Sequence, residues 1–213
     1  MKKQFVVLGL GGFGASIALT LQQLGCDVVA VDQDMERVND VADQVTYAMQ
    51  ADIGNPELLY SLGAGNFDGI VVAVSESMEA SIMATLVAKE IGIPYVLCKA
   101  RDERHAAVLR KIGADSIVFP EEEMGKRIAK NLVSANFADW IALSSDYSVI
   151  EVATPAGWAG KTLKELDVRR TYGVNVVGIK EGSQVDITPD ADKVLKEEMI
   201  LMVIGDNQAL EKI

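Results

Sequence analysis

The hexapeptide Gly9-Leu10-Gly11-Gly12-Phe13-Gly14 constrains this chain more tightly than any other stretch, because of what stands on either side of it. The apolar run Gln4–Leu8 precedes it, and Phe13, Ile17, Leu21 and Leu24 follow at helical spacing. A strand, a sharp turn and a helix are therefore predicted in that order. In that setting each glycine of the GxGxxG spacing has a physical task. Gly9 permits the turn, Gly11 lets a phosphate approach the backbone, and Gly14 lets the helix lie close to the sheet. The amides that open the helix, around Gly12 and Phe13, lack intrahelical acceptors and turn the positive end of the helix dipole toward a ligand. Asp32 closes the next apolar run, Asp27–Val31. There its carboxylate accepts hydrogen bonds from both ribose hydroxyls and repels a 2′-phosphate. The pattern points to an adenosine-containing ligand.

Strand-like runs recur at Val45–Met49, Gly69–Val74, Tyr95–Lys99 and Ser116–Phe119, separated by amphipathic stretches such as Ile82, Met83, Leu86 and Val87. Asp34 is positioned to cap Met35–Val41, and Asn55-Pro56 joins a cap to a proline at the first helical position. Gly25, Gly63, Gly92 and Gly113 each close a helical stretch. Short apolar strands alternating with helices build a parallel sheet covered on both faces. The predicted class is α/β, a Rossmann-like doubly wound parallel sheet. Asp52, after the third strand, reaches an adenine edge or serves as a turn or cap residue. Ser75, after the fourth, offers a hydroxyl and an N–H to phosphate or ribose, or simply opens the next helix.

The pattern then changes. Glu121–Asn136 is predicted as a further helix and Phe137–Tyr147 as an irregular connector. From Ser148 the apolar residues alternate with period two, in Val149–Val152 and Asn175–Ile179, with a hairpin turn at Glu181-Gly182-Ser183. Thr162 and Glu165 form a capping box over a short helix, and Ile200–Ile204 is a last strand. Residues 1–120 thus form the nucleotide-binding domain, 121–147 a helical connector, and 148–213 a second, smaller α+β domain.

The formal net charge of −11 argues against partners that are themselves polyanions, since nucleic acid and anionic lipid surfaces are bound through clustered Lys and Arg. An acidic protein is drawn instead to basic surfaces, such as the Lys- and Arg-rich cytoplasmic loops of membrane proteins. No apolar run reaches the ~20 residues that span a bilayer. The N-terminus reads as a strand rather than a leader, so a cytoplasmic protein without direct membrane insertion is expected. Cys26 and Cys98 are expected to be buried free thiols, and His105, in the polar stretch Asp102–Arg110, a surface helix residue. Tyr95 and Lys99 match a dehydrogenase YxxxK, but on a strand their side chains stand about 13 Å apart. Gly160-Lys161-Thr162 ends like a phosphate loop, yet Pro155 occupies the position of its first glycine. A small NAD-dependent oxidoreductase needs a placed proton donor, and an NADH-sensing repressor needs a basic DNA-binding element. Neither is present, so a binding module rather than an enzyme is predicted.

The residues that carry a family resemblance extend over nearly the whole chain. They are Phe5–Gly14, Leu62-Gly63 before Asn66-Phe67-Asp68, Glu79-Ala80-Ser81, Lys99-Ala100, Leu109–Asp115, Pro120-Glu121 and Met124-Gly125. The second half adds Gly160–Leu163, Leu166–Arg169 and Tyr172-Gly173. With these the chain resembles the cytoplasmic gating subunits of Trk/Ktr-type potassium uptake systems, built from RCK (or KTN) domains, the Ktr branch most of all. The resemblance implies a nucleotide-sensing regulatory subunit that gates a potassium-translocating membrane subunit. It also implies a homo-dimer assembling into an octameric ring, with residues 121–147 as the dimer crossover. The ligand is ATP or ADP at Gly9, Gly11, Gly12, Phe13, Gly14, Asp32 and Asp52, with Ser75 and Lys99 near the phosphates, and NAD(H) as the alternative. It further implies a divalent cation shared between subunits at Glu121, and cyclic di-AMP near Arg169 and Asn175. One departure stands out. The Ktr branch carries Arg where this chain has Gly12, and a charge-assisted contact to the terminal phosphate, worth about 1.5–3 kcal/mol, is missing here.

Overall fold

Val6 and Leu8 of the first strand face one apolar cluster and Val7 faces another, all without exposed surface. A strand buried on both sides belongs in the middle of a sheet with helices on both faces. The computed structural model describes residues 2–74, 76–133 and 137–213. It divides into two units, Met1–Glu122 and Glu123–Ile213.

The first unit runs β1 (Gln4–Leu8), α1 (Gly12–Gln23), β2 (Asp27–Asp32), α2 (Met35–Ala42), β3 (Tyr47–Gln50) and α3 (Glu57–Ser61). It continues with β4 (Gly69–Val72), α4 (Met78–Glu90), β5 (Val96–Lys99), α5 (Glu103–Lys111) and β6 (Ser116–Val118). The sheet order is β3-β2-β1-β4-β5-β6, every pair parallel. The chain builds outward in one direction through β3 and then returns to β4 beside β1. That reversal opens a crevice at the carboxyl ends of β1 and β4. Ala18 of α1 and Val38 and Val41 of α2 cover one face, and Leu58, Val87 and Leu109 of α3, α4 and α5 cover the other. Helix starts follow local chemistry. Asp34 accepts a hydrogen bond from the Glu36 amide at 2.9 Å, and Asp102 accepts one from the His105 amide at 2.9 Å. Asn55 accepts from the Glu57 amide at 3.0 Å, and α3 begins at Glu57, one residue later than Pro56.

Two expectations are corrected here. His105 is fully buried rather than on the surface, because it shares the inner face of α5 with Ala106 and Leu109. It lies four positions before Leu109, so the helix turns both side chains inward whatever the polarity of their neighbours. Its Nδ1 accepts from the Arg101 amide at 3.4 Å, and its Nε2 has no hydrogen-bond partner. Cys26, expected to be buried, is partly exposed, whereas Cys98 is buried.

α6 (Pro120–Val133) begins in the first unit and continues into the second; residues 134–136, where the helix was expected to extend, lie outside the described residues. The second unit then contains β7 (Phe137–Ala142), β8 (Tyr147–Ala153), α7 (Leu163–Leu166), α8 (Val168–Tyr172), β9 (Val174–Glu181), β10 (Gln184–Asp186), β11 (Ile200–Asp206) and α9 (Asn207–Leu210). The sheet order is β10-β9-β11-β8-β7, with all pairs antiparallel. The stretch Phe137–Ala142, expected to be irregular, is thus an edge strand paired with β8. Its register is set by a turn rather than by alternation: the Leu143 and Ser144 amides both donate to the Tyr147 carbonyl. Thr162 and Glu165 exchange the reciprocal hydrogen bonds of a capping box. The core gathers Trp158, Leu195, Met199 and Leu201, with the Trp158 and Tyr172 rings 4.9 Å apart.

Candidate functional site

A cavity of about 600 Å³ lies at the carboxyl ends of the parallel strands, a volume within the range of small-molecule sites. Gly9, Gly11, Gly12, Asp32, Asp52 and Lys99 all line it. Phe13 and Gly14 do not; they belong to the first turn of α1 behind it. Ser75, also expected here, lies outside the described residues.

The glycines differ in what holds them. Gly9 has φ +92°, a left-handed conformation, and a Cβ there would come within 2.9 Å of Val74. At Gly14 a Cβ would stand 1.8 Å from the Gly9 carbonyl oxygen, so α1 packs onto the turn at a distance only hydrogen permits. Around Gly11 and Gly12 an added Cβ meets nothing within 4 Å, and both face the cavity. No side chain caps α1 and no acidic residue stands in its first turn. Its opening amides are left to a ligand or to water.

Asp32 ends β2 and is only 3% exposed. Its Oδ2 accepts from the Leu10 amide at 2.6 Å and its Oδ1 from the Asp34 amide at 2.9 Å. A carboxylate has about four acceptor positions, so two remain, enough for a ribose diol. The same side chain therefore ties the glycine turn to the β2–α2 junction and presents unspent lone pairs to the cavity. Asp52 has a turn role: its Oδ1 accepts from the Gly54 amide at 2.9 Å, closing a small loop after β3. Its position on the wall leaves its second oxygen available to a ligand edge.

Lys99 ends β5, its side chain 13% exposed, and donates a hydrogen bond to Glu121 near the start of α6. That bond holds the Glu121 carboxyl below the usual carboxylate range. Glu121 itself is not among the cavity-lining residues. Among the described residues no group of three His, Cys, Asp or Glu side chains is placed to hold a metal ion.

The lining residues that the sequence reading did not assign to the site include the polar and charged Gln33, Arg37, Glu76 and Glu79. Arg37 is the most consequential. Its guanidinium lies 3.7 Å from Asp32 and 3.7 Å from Asp34, and it is 46% exposed. A signal was available, since Arg37 falls in the first turn of α2, the helix that follows Asp32. Neither Cys98 nor His105 is among the cavity-lining residues. Burial pushes the Cys98 thiol up to about 11, with the Thr85 hydroxyl 3.2 Å from its sulfur, and burial pushes the His105 imidazole down.

In the second unit Arg169 and Asn175 line one shallow cavity of about 320 Å³, together with Val174, Val176 and Ala191.

Comparison with known proteins places this geometry. Residues 5–120 match the TrkA-N domain family, and residues 148–213 match the TrkA-C domain family. The chain is 45% identical over 205 residues to Ktr system potassium uptake protein C of Bacillus subtilis (strain 168), covering 96% of this chain and 93% of that one. It is 37% identical over 210 residues to Ktr system potassium uptake protein A of the same organism, covering 99% and 95%. Among solved structures, the GsuK RCK domain matches with a TM-score of 0.67 at 17% identity, over 99% of this chain and 46% of that one. A GsuK channel bound to NAD also matches with a TM-score of 0.67 at 17% identity, over 99% and 38%. These two establish the shared fold. Among the described residues no helix is long and apolar enough to cross a membrane.

Proposed function

From its membership of the TrkA-N/TrkA-C family, to which the Ktr potassium uptake proteins belong, we propose that this chain is a cytoplasmic, non-enzymatic subunit that senses an adenine nucleotide and thereby gates a potassium-translocating membrane partner. The observation that carries this reading is Asp32: a buried carboxylate with two lone pairs to spare, at the mouth of an uncapped helix and an open Gly11–Gly12 backbone. Ribose on Asp32 and phosphates on the opening amides of α1 fit that arrangement.

The cavity wall carries Asp32, Asp52, Glu76 and Glu79 against two cations, Arg37 and Lys99. A polyphosphate therefore relies on backbone amides and on Lys99, with a divalent ion as counter-charge. Glu121 alone does not make a site for that ion, so its other ligands come from a second copy of the chain. Met124, Ile128 and Leu132 of α6 are exposed and spaced four residues apart. They form the apolar stripe through which we pair two copies, the dimer being the unit of an octameric ring. The Arg169–Asn175 cavity is the corresponding place for cyclic di-AMP.

A nucleotide shifts such an assembly only by binding its two shapes unequally, typically by 1–3 kcal/mol per site. ATP against ADP is the first reading of that pair of ligands. Gly12, with open space where the Ktr branch has Arg, favours NAD(H) as the second.

Thermal-shift titration with ATP, ADP, NADH and cyclic di-AMP tests the proposal, with wild type beside Asp32→Asn. Stabilisation of wild type by an adenine nucleotide, and its loss in a variant that still folds, is the expected result. A wild type indifferent to all adenine nucleotides would remove the function proposed here.

A further inference from the structure

Arg37 is a cavity-lining cation that donates no hydrogen bond: its guanidinium stands at 3.7 Å from two carboxylates, beyond hydrogen-bond reach of either. A half-exposed arginine held in place by charge alone keeps its planar face and its five N–H groups unspent. Its location narrows what it can meet. With the ribose on Asp32 and the phosphates running toward Gly11, Gly12 and Lys99, the base must leave the sugar on the other side, toward the β2–α2 junction and the end of β3. Gln33, Arg37, Asp52, Ile53 and Gly54 form that part of the wall. Ile53 is 7% exposed and Gly54 has no side chain, which leaves Gln33 and Arg37 as the long exposed side chains of that wall, and of the two only Arg37 offers a planar cation to a flat ring. A 2′-phosphate is a poorer match, because Asp32 and Asp34 both stand beside the guanidinium and would repel it.

On the nucleotide reading above, we infer that Arg37 is the base-specificity residue of this site, laying its guanidinium plane over a purine and setting the preference for purine over pyrimidine nucleotides. Asp32 and Asp34 hold the plane in readiness. The stacking uses the face of the guanidinium, so those ionic contacts persist when the base is bound. A purine offers the larger ring surface, and guanidinium stacking is worth more to it.

Isothermal titration of the full chain with ATP and with UTP separates this role from a structural one. Wild type should bind ATP more tightly than UTP. Arg37→Ala should weaken ATP about tenfold, within the range measured for removal of one stacking partner, and UTP by less than threefold. Arg37→Lys, which restores the charge beside Asp32 but not the plane, should leave most of the ATP loss in place. An equal loss for both nucleotides, or full rescue by Lys, would mean that Arg37 only tunes Asp32, and would overturn the inference. So would a loss confined to NADPH in a parallel titration against NADH. Failure of wild type to bind either nucleotide is a different result, and it would remove the nucleotide site itself.

Discussion

In the first unit β4 is buried at every position, whereas in the second β8 is buried at every other one. The parallel sheet is sandwiched between helices, with its strands feeding two separate clusters. The antiparallel sheet packs one face onto a single cluster around Leu201 and Met199 and leaves Val177 and Val185 exposed. The difference has a functional consequence. Parallel strands connected by helices bring several carboxyl ends and a helix N-terminus to one rim, where unpaired backbone amides converge. Antiparallel strands alternate direction and gather no such rim. The deep cavity therefore belongs to the first unit, and the second offers faces and edges better suited to protein contact or to a shallow ligand.

The sharpest way to break this contrast is Gly14→Ala. A methyl group 1.8 Å from the Gly9 carbonyl cannot be absorbed by rotamer changes, and the cost should reach at least about 3 kcal/mol, beyond ordinary overpacking. Urea unfolding followed by circular dichroism would measure it; a loss below about 1 kcal/mol would show that the turn yields. In the second unit, Leu201→Ala should cost about 3 kcal/mol through the cavity it leaves, while the nucleotide-induced thermal shift survives. Disappearance of that shift would show that the first unit's ligand site depends on the second unit's core.

Gly12→Arg should leave stability unchanged, because its Cβ meets nothing, and raise the ratio of ATP to ADP affinity about tenfold or more. Calorimetry with both nucleotides decides this, and an unchanged ratio would place the terminal phosphate away from Gly12. The smallest effect is expected from pH. His105 titrates near pH ~6.5 when unfolded and lower when folded, because burial disfavours its charged form. The unfolded chain then takes up the proton first as pH falls. Stability should be level with respect to this group above about 6.5 and decline below it. Thermal melts between pH 7.5 and 5 should show a shallower decline in His105→Gln than in wild type.

Much of the first unit was legible in advance because its signals are local. Each strand of the parallel sheet is a short apolar run between turn residues, and Asp34 and Asn55 bond to amides two residues on at helix starts. Elements fixed by distant pairing were not legible. Phe137–Ala142 has no alternation of its own and becomes a strand only because the turn at Leu143–Tyr147 lays it along β8. His105 has polar neighbours in sequence, and only the docking of α5 on the sheet turns it inward. Arg37 entered the site the same way, through where α2 begins rather than through any motif.

The sequence by itself determined the strand–turn–helix around Gly9–Gly14 and the acid one strand over. Turn conformation, helix capping and apolar periodicity act within a few residues and leave a trace in their order. Only the tertiary structure decided which charges share the cavity, that Asp32 spends two acceptor positions on Leu10 and Asp34, and that Lys99 is bonded to Glu121. Those contacts join residues brought together by the sheet's strand order, and a strand order is settled by packing across the whole unit rather than by any one segment.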